Sequence, residues 1–258
     1  MNTLFIVGTG PGSMAYLSPA AREAITQSRH LVGYQLYLDL LGELAIGKEH
    51  HAKALGEEID RAHLALDIAA REPGATALIS SGDAGIYAMA SVVFELLDKE
   101  ARPEWQSVTV NVIPSPTAMQ LVAAHAGAPL GHDFCTISLS DLLTPWETIE
   151  ARIHAAGQGD FIVALYNPVS QKRDWQLNTA KDILLQYLPA ETPVLLGRQM
   201  TRPEEQVRTL TLATLSAADV DMLTLVIIGN RESRAFQHGG RHHVYTPRGY
   251  ARKLESHT

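Results

Sequence analysis

The apolar run Leu4-Phe5-Ile6-Val7 ends in Gly8-Thr9-Gly10-Pro11-Gly12, where three alternate glycines can bring a small molecule against bare backbone. Glycine reaches backbone conformations closed to other residues and has no Cβ to hold a ligand away. Two further loops follow apolar runs in the same way. Thr76-Ala77-Leu78-Ile79 leads into Ser80-Ser81-Gly82-Asp83-Ala84-Gly85-Ile86-Tyr87, and the run 108–113 leads into Pro114-Ser115-Pro116-Thr117-Ala118. Thr117 is a natural N-cap, and N–H groups beside such a cap suit a carboxylate or other anion. The first loop is an incomplete dinucleotide fingerprint. The third glycine of G-x-G-x-x-G would fall at Ser13, and the strand-like run His30-Leu31-Val32-Gly33-Tyr34 carries no carboxylate for a ribose. No Gly-Lys-Ser or Gly-Lys-Thr follows the glycines, which excludes a P-loop.

No Ser/His/Asp set, paired-carboxylate motif or H-E-x-x-H stands out. The pairs His50-His51 and His242-His243 invite a metal, but neighbours in a strand point to opposite sides, and neither pair shows a carboxylate or third histidine to complete it. No protein-held metal is expected. The single cysteine, Cys135, allows neither an internal disulfide nor a Cys-cluster zinc site, and reads as a buried bystander. A net charge of −7 argues against general affinity for nucleic acid. An anionic small molecule would need a local basic patch, for which Lys172-Arg173, Arg198 with Arg202, and Arg231 with Arg234 are available.

Elements that alternate along the chain must position these loops. A hydrophobic content of 46% and a charged content of 19% are those of an ordinary globular protein. No apolar run reaches the roughly 18 residues of a membrane span, and the first residues carry no basic n-region or cleavage site, so a cytoplasmic protein is expected. Ser18 and Pro19 read as the N-cap and first position of a helix. A second helix is expected over 57–71, with Ile59, Ala62, Leu66 and Ala69 on one face, ended by Pro73-Gly74. Helices over 88–97 and 119–126 complete the first half. Strands at 134–139, 161–166, 194–196 and 223–228 with helices over 146–155 and 175–188 form the second. This alternation predicts an α/β protein of two domains, 1–115 and 116–258, with mainly parallel sheets. A composition shift at 127–132 reads as the linker region.

Taken together, the loops resemble those of the tetrapyrrole methylases. Gly8-Thr9-Gly10-Pro11-Gly12 is similar to that family's first loop, and the 80–87 segment to its second, with Ala84 where proline is usual. The third loop has Ser115-Pro116 where the family has glycine and an aliphatic residue, while Thr117 and Ala118 match. The segments 138–146, 164–168 and 221–230 further resemble members that act on corrin precursors, and the likeness runs from about residue 3 to 250.

The resemblance implies two α/β domains with a cofactor cleft between them. It implies S-adenosylmethionine-dependent methyl transfer to C17 of a metal-free or cobalt-bound corrin precursor in cobalamin biosynthesis, associated with contraction of the macrocycle. A homodimer, an anionic tetrapyrrole substrate, and no nucleic-acid or membrane partner are implied with it. Pro11, Gly82, Asp83, Ile86, Tyr87, Thr117, Ala118, Tyr166, Met200 (or its neighbour Gln199) and Thr224 would bind the cofactor. Ser138, Asp141 and His132 would assist proton transfer during ring contraction, because they lie in or beside the segment 138–146. Gly10, Ser140, Thr144, Lys172, Arg173, Arg198 and Arg202 would meet the substrate, the cations pairing with its carboxylates. Methylation at another corrin-precursor carbon, methylation of ribosomal RNA, a nicotinamide-dependent oxidoreductase and a non-catalytic tetrapyrrole-binding module are the alternatives. The acidic balance disfavours RNA, and the second and third loops disfavour the oxidoreductase.

Overall fold

A computed structural model describes residues 2–170 and 173–250. The chain divides into two units, Met1–Thr117 and Ala118–Thr258, the boundary falling just beyond the 115/116 division read from the sequence.

The first unit comprises β1 (Thr3–Gly8), α1 (Pro19–Gln27), β2 (Ser28–Tyr34), α2 (Gln35–Asp39), β3 (Glu49–Lys53), α3 (Glu58–Arg71), β4 (Ala75–Ser80), α4 (Met89–Lys99) and β5 (Thr109–Ile113). Its sheet has the order β3-β2-β4-β1-β5, and every pairing is parallel. Helix α1 begins where the sequence places it, with the Ser18 hydroxyl accepting from the Ala21 N–H at 3.1 Å. Side chains alternate between the two faces of each strand. Val7, Leu31, Ala77 and Ile79 pack against α1 and α2, whereas Leu4, Ile6, Val32 and Leu78 pack against α3 and α4. The adjacent strands β1 and β4 therefore lead to helices on opposite faces. This is a topological switch point, where loops diverge and leave a crevice at the carboxyl ends of the strands. Strand β3, Glu-His-His-Ala-Lys, carries no apolar signal because it is a half-exposed edge.

The second unit comprises α5 (Ala118–Ala126), β6 (Gly127–Ala128), β7 (Phe134–Ser138), α6 (Trp146–Gln158), β8 (Ile162–Tyr166), α7 (Trp175–Leu184), β9 (Pro193–Arg198), β10 (Gln206–Thr211), β11 (Thr224–Ile228), β12 (Arg234–His238) and β13 (Arg241–Tyr245). Its larger sheet runs β10-β9-β11-β8-β7, and only β7 and β8 pair in parallel. The mainly parallel pairing expected is complete in the first unit, whereas in this sheet it is confined to β7 and β8. Strands β8 and β9, joined through α7, do run the same way, but β11 inserts antiparallel between them and β10 folds back on β9. No long helix separates β9, β10 and β11, so nothing enforces a parallel crossover. Helices α6 and α7 cover one face of this sheet and α5 the other.

The 127–132 segment is not a linker. It holds β6, which pairs with β13 inside the second unit. Its glycines mark close backbone approach: a Cβ on Gly127 would lie 2.8 Å from the Val244 carbonyl oxygen, and one on Gly131 would lie 2.5 Å from that of Thr246.

Close approach also fixes α5 on β9. A Cβ at Gly197 would lie 2.0 Å from Cγ2 of the fully buried Val122. Gly197→Ala is expected to lower stability by about 1–3 kcal/mol through overpacking. Val122→Ala in the same chain should recover part of that loss, as measured by denaturant unfolding of the two single variants and the double variant.

Candidate functional site

The β1, β4 and β5 loops of the first unit emerge side by side, because Gly8 is level with Ser80 and Val7 with Ile113. They are tied into one backbone lattice. Thr9 donates its N–H (2.9 Å) and its hydroxyl (3.1 Å) to the Ser80 carbonyl. Gly10 and Gly82 exchange N–H to carbonyl bonds of 3.1 and 2.8 Å, a two-residue antiparallel bridge between loops whose strands run parallel. Both glycines need positive φ, 73° and 66°. Gly8 has no room for a side chain, since a Cβ would lie 2.7 Å from the Gly82 carbonyl oxygen and 2.9 Å from the Ala84 nitrogen.

The third loop joins through two groups. The buried Ser115 hydroxyl donates to the Gly8 carbonyl at 2.6 Å, and the Ser115 N–H donates to Asp83 Oδ2 at 3.1 Å. Asp83 Oδ1 accepts from the Gly85 N–H at 2.8 Å. Both carboxylate oxygens of Asp83 thus hold backbone, which makes this residue a brace between loops before it is a ligand. Pro11 is buried, Ile86 and Tyr87 are exposed, and Tyr87 adopts φ 49°. Thr117 is buried immediately before Ala118 opens α5. Sequence reasoning missed Ser115 and Thr9. Ser115 was legible only as a departure from the family's glycine.

In the second unit the strand ends of β7 and β8 form a separate polar cluster. Ser138 Oγ accepts from Asn167 Nδ2 (3.0 Å) and from the Ser140 N–H (3.3 Å), while Leu139 donates its N–H to the Tyr166 carbonyl (2.9 Å). Arg173 is buried, and its Nη1 donates to the carbonyls of Leu139 (2.7 Å) and Asn167 (2.8 Å). Burial pushes its guanidinium below the usual arginine range, partly offset by Asp141, whose Oδ1 is 3.6 Å away. Asp141 Oδ2 accepts from Gln176 at 3.0 Å. Arg173 therefore clamps these loops, and Asp141 is held by that clamp. Thr144 is half-buried beyond the exposed Leu142 and Leu143.

His132 does not join this cluster. It precedes β7, at the end of that strand opposite Ser138, exposed and accepting at Nδ1 from the Asp133 N–H. Arg198 is also committed: its Nε donates to Asp221 Oδ2 at 2.6 Å, and its Nη1 lies 3.4 Å from Glu204. The Asp221 hydrogen bond raises the guanidinium further. Burial alone would raise the Asp221 carboxyl, but bonds from Thr224 and Arg198 hold it below the usual carboxylate range. Thr224 is buried with its hydroxyl on Asp221 Oδ1, and Met200 is buried in the core beneath α5. Arg202 is half-buried, its N–H on the Gln199 carbonyl, and Lys172 lies outside the described residues. The sequence expectation that nothing completes His51 is overturned, since folding brings His30 and Glu49 to it.

The sequence matches the profile of the Tetrapyrrole (Corrin/Porphyrin) Methylases over residues 3–216. The chain belongs to that family. This methylase is 46% identical to a precorrin-3B C(17)-methyltransferase of Sinorhizobium sp. across 96% of its own length and 97% of the relative's. It is 42% identical to a probable cobalt-factor III C(17)-methyltransferase of Salmonella typhimurium, across 96% and 99% of the two chains. Other curated relatives are longer, and the methylase spans about half of their length. Among solved structures, the methyltransferase CobJ superposes with a TM-score of 0.87 at 38% identity, covering 95% of the methylase and 99% of that chain.

Arg173→Ala would strand two carbonyls that the guanidinium now satisfies, and is expected to cost about 3 kcal/mol of unfolding free energy. Arg173→Lys should rescue little of it, because an ammonium lacks the planar fork. A substrate-contact role alone would instead leave denaturant unfolding unchanged and raise KM.

Proposed function

We propose that the chain transfers a methyl group from S-adenosylmethionine to C17 of precorrin-3B or its cobalt-bound counterpart, in the ring-contraction stage of cobalamin biosynthesis. The observation that carries this reading is the match to the Sinorhizobium enzyme along nearly the full length of both chains. The loops of the first unit fit such a cofactor. Around Gly82 a Cβ would meet nothing within 4 Å, so the lattice presents open backbone there, flanked by the exposed Ile86 and Tyr87.

Pro11, Gly82, Asp83 and Thr117 would hold the polar parts of the cofactor, with Ile86 and Tyr87 against its ring and Gly10 toward the substrate. When bound, S-adenosylmethionine supplies an electrophilic methyl group on a sulfonium leaving group. The chain's own contribution is to fix position and exclude water, effects worth up to roughly 7–11 kcal/mol in well-oriented reactions. This accounts for the lack of a nucleophile-and-base set among the motifs of the sequence. In the second unit, Ser138 has both acceptor positions taken by Asn167 and Ser140, which leaves its O–H as a donor toward a substrate oxygen. Ser140 and Thr144 are the neighbouring hydroxyls of the same loop.

The proposal extends to a cytoplasmic homodimer, the assembly the family resemblance implies. No helix among the described residues is long and apolar enough to cross a membrane. Light scattering of the purified chain should give twice the mass of the 28.1 kDa protomer. A protomer mass at all concentrations tested would reject the dimer.

Mass spectrometry of metal-free and cobalt-bound precursors incubated with the protein and S-adenosylmethionine should show a gain of one methyl group on at least one of them. No gain on either, with S-adenosylhomocysteine still bound, would reject the C17 assignment. Gly8→Ala in the same assay should weaken S-adenosylhomocysteine by about tenfold or more, since the new Cβ forces the first and second loops apart.

A further inference from the structure

Away from the loops just described, three side chains on the β2–β3 edge of the first unit converge. Parallel pairing sets His30 opposite Glu49, and His51 follows Glu49 by two residues, so all three project from one face of the sheet. His30 Nδ1 lies 3.3 Å from His51 Nε2 and 3.4 Å from Glu49 Oε2. The three ligand atoms all lie within 4.8 Å of one another.

These separations match a metal site. Bonds of about 2.0–2.2 Å to imidazole nitrogen and carboxylate oxygen in a tetrahedron place neighbouring ligand atoms roughly 3.3–3.5 Å apart. A shared proton can bridge one pair of these atoms at a time, whereas a cation satisfies all three. The surroundings are arranged to leave those atoms available. Arg29 occupies only the other oxygen of Glu49, donating to Oε1 at 3.0 and 2.8 Å, and so orients Oε2 toward the rings. Such fixing of a ligand by an outer partner is the usual support of a metal site. His30 is 1% exposed and its Nε2 is buried without a hydrogen-bond partner, so all the polar capacity this ring uses is directed through Nδ1.

We propose that His30 Nδ1, Glu49 Oε2 and His51 Nε2 bind one divalent first-row cation of the zinc or cobalt(II) type, with a remaining position open to water. Two imidazoles and one carboxylate suit these ions over magnesium or calcium, which prefer all-oxygen shells. The site would tie the polar edge strand β3 to β2, stabilising the unit by mass action whenever the cation is present. Neither element belongs to the proposed methyl-transfer site, so the inference stands or falls independently of that reading.

The test uses the whole chain stripped of metal by a chelator. Titration with Co2+ should give one equivalent with the strong visible absorption of a four-coordinate ion, and Zn2+ should displace it and raise Tm. His51→Ala and Glu49→Gln alter exposed or half-exposed edge positions, and each should weaken Zn2+ by about 100-fold or more while leaving the metal-free Tm unchanged. His242→Ala, in the other unit, should bind as the parent does. Parent-like affinity in His51→Ala, loss of binding in His242→Ala, or no saturable Zn2+ binding by the parent would each overturn the site.

Discussion

The first unit depends on one constraint, the contact between the backbone of Gly8 and the second loop. At a distance where a methyl group would strike the Gly82 carbonyl oxygen and the Ala84 nitrogen, two loops from parallel strands exchange hydrogen bonds as if they were antiparallel. Everything nearby follows from that approach. The Gly8 carbonyl becomes the acceptor for Ser115, which draws in the third loop, and Asp83 completes the brace from the other side. Backbone groups left without partners in a buried place cost on the order of 1–3 kcal/mol each, so the lattice is held by the need to satisfy them. A surface of main-chain atoms is the result, and it keeps its shape without bulky side chains.

The second unit solves a related problem with a side chain. Where β7 and β8 end, the carbonyls of Leu139 and Asn167 turn inward and a buried guanidinium reaches both. Asp141 offsets the charge and Gln176 holds Asp141. Arginines that looked like a basic patch are thereby consumed: Arg173 inside this clamp and Arg198 by Asp221 and Glu204. A chain of net charge −7 gives its cations many internal partners.

Local chemistry made much of this architecture legible. Ser18-Pro19 starts α1 because the cap and the fixed proline φ act within one turn, and α3 ends before Pro73-Gly74 for the same short-range reason. The glycine loops were legible because only glycine tolerates their turns. Strand β3 was not, since a half-exposed edge needs no apolar alternation, and the β12–β13 hairpin was missed alongside it. The 127–132 segment misled because glycine marks backbone crowding as readily as it marks a hinge.

By itself the sequence determined the α/β class, the three glycine loops and, through their resemblance, the family, because these depend on residues adjacent in the chain. Only the tertiary structure decided what each polar side chain does. It separated His132 from Ser138 by the length of a strand, turned Asp83 and Arg173 into braces, inserted β11 between β8 and β9, and set His30 beside Glu49 and His51. Those outcomes depend on strand order and register, which are fixed by how whole faces bury against one another and leave no mark on the spacing of the residues involved.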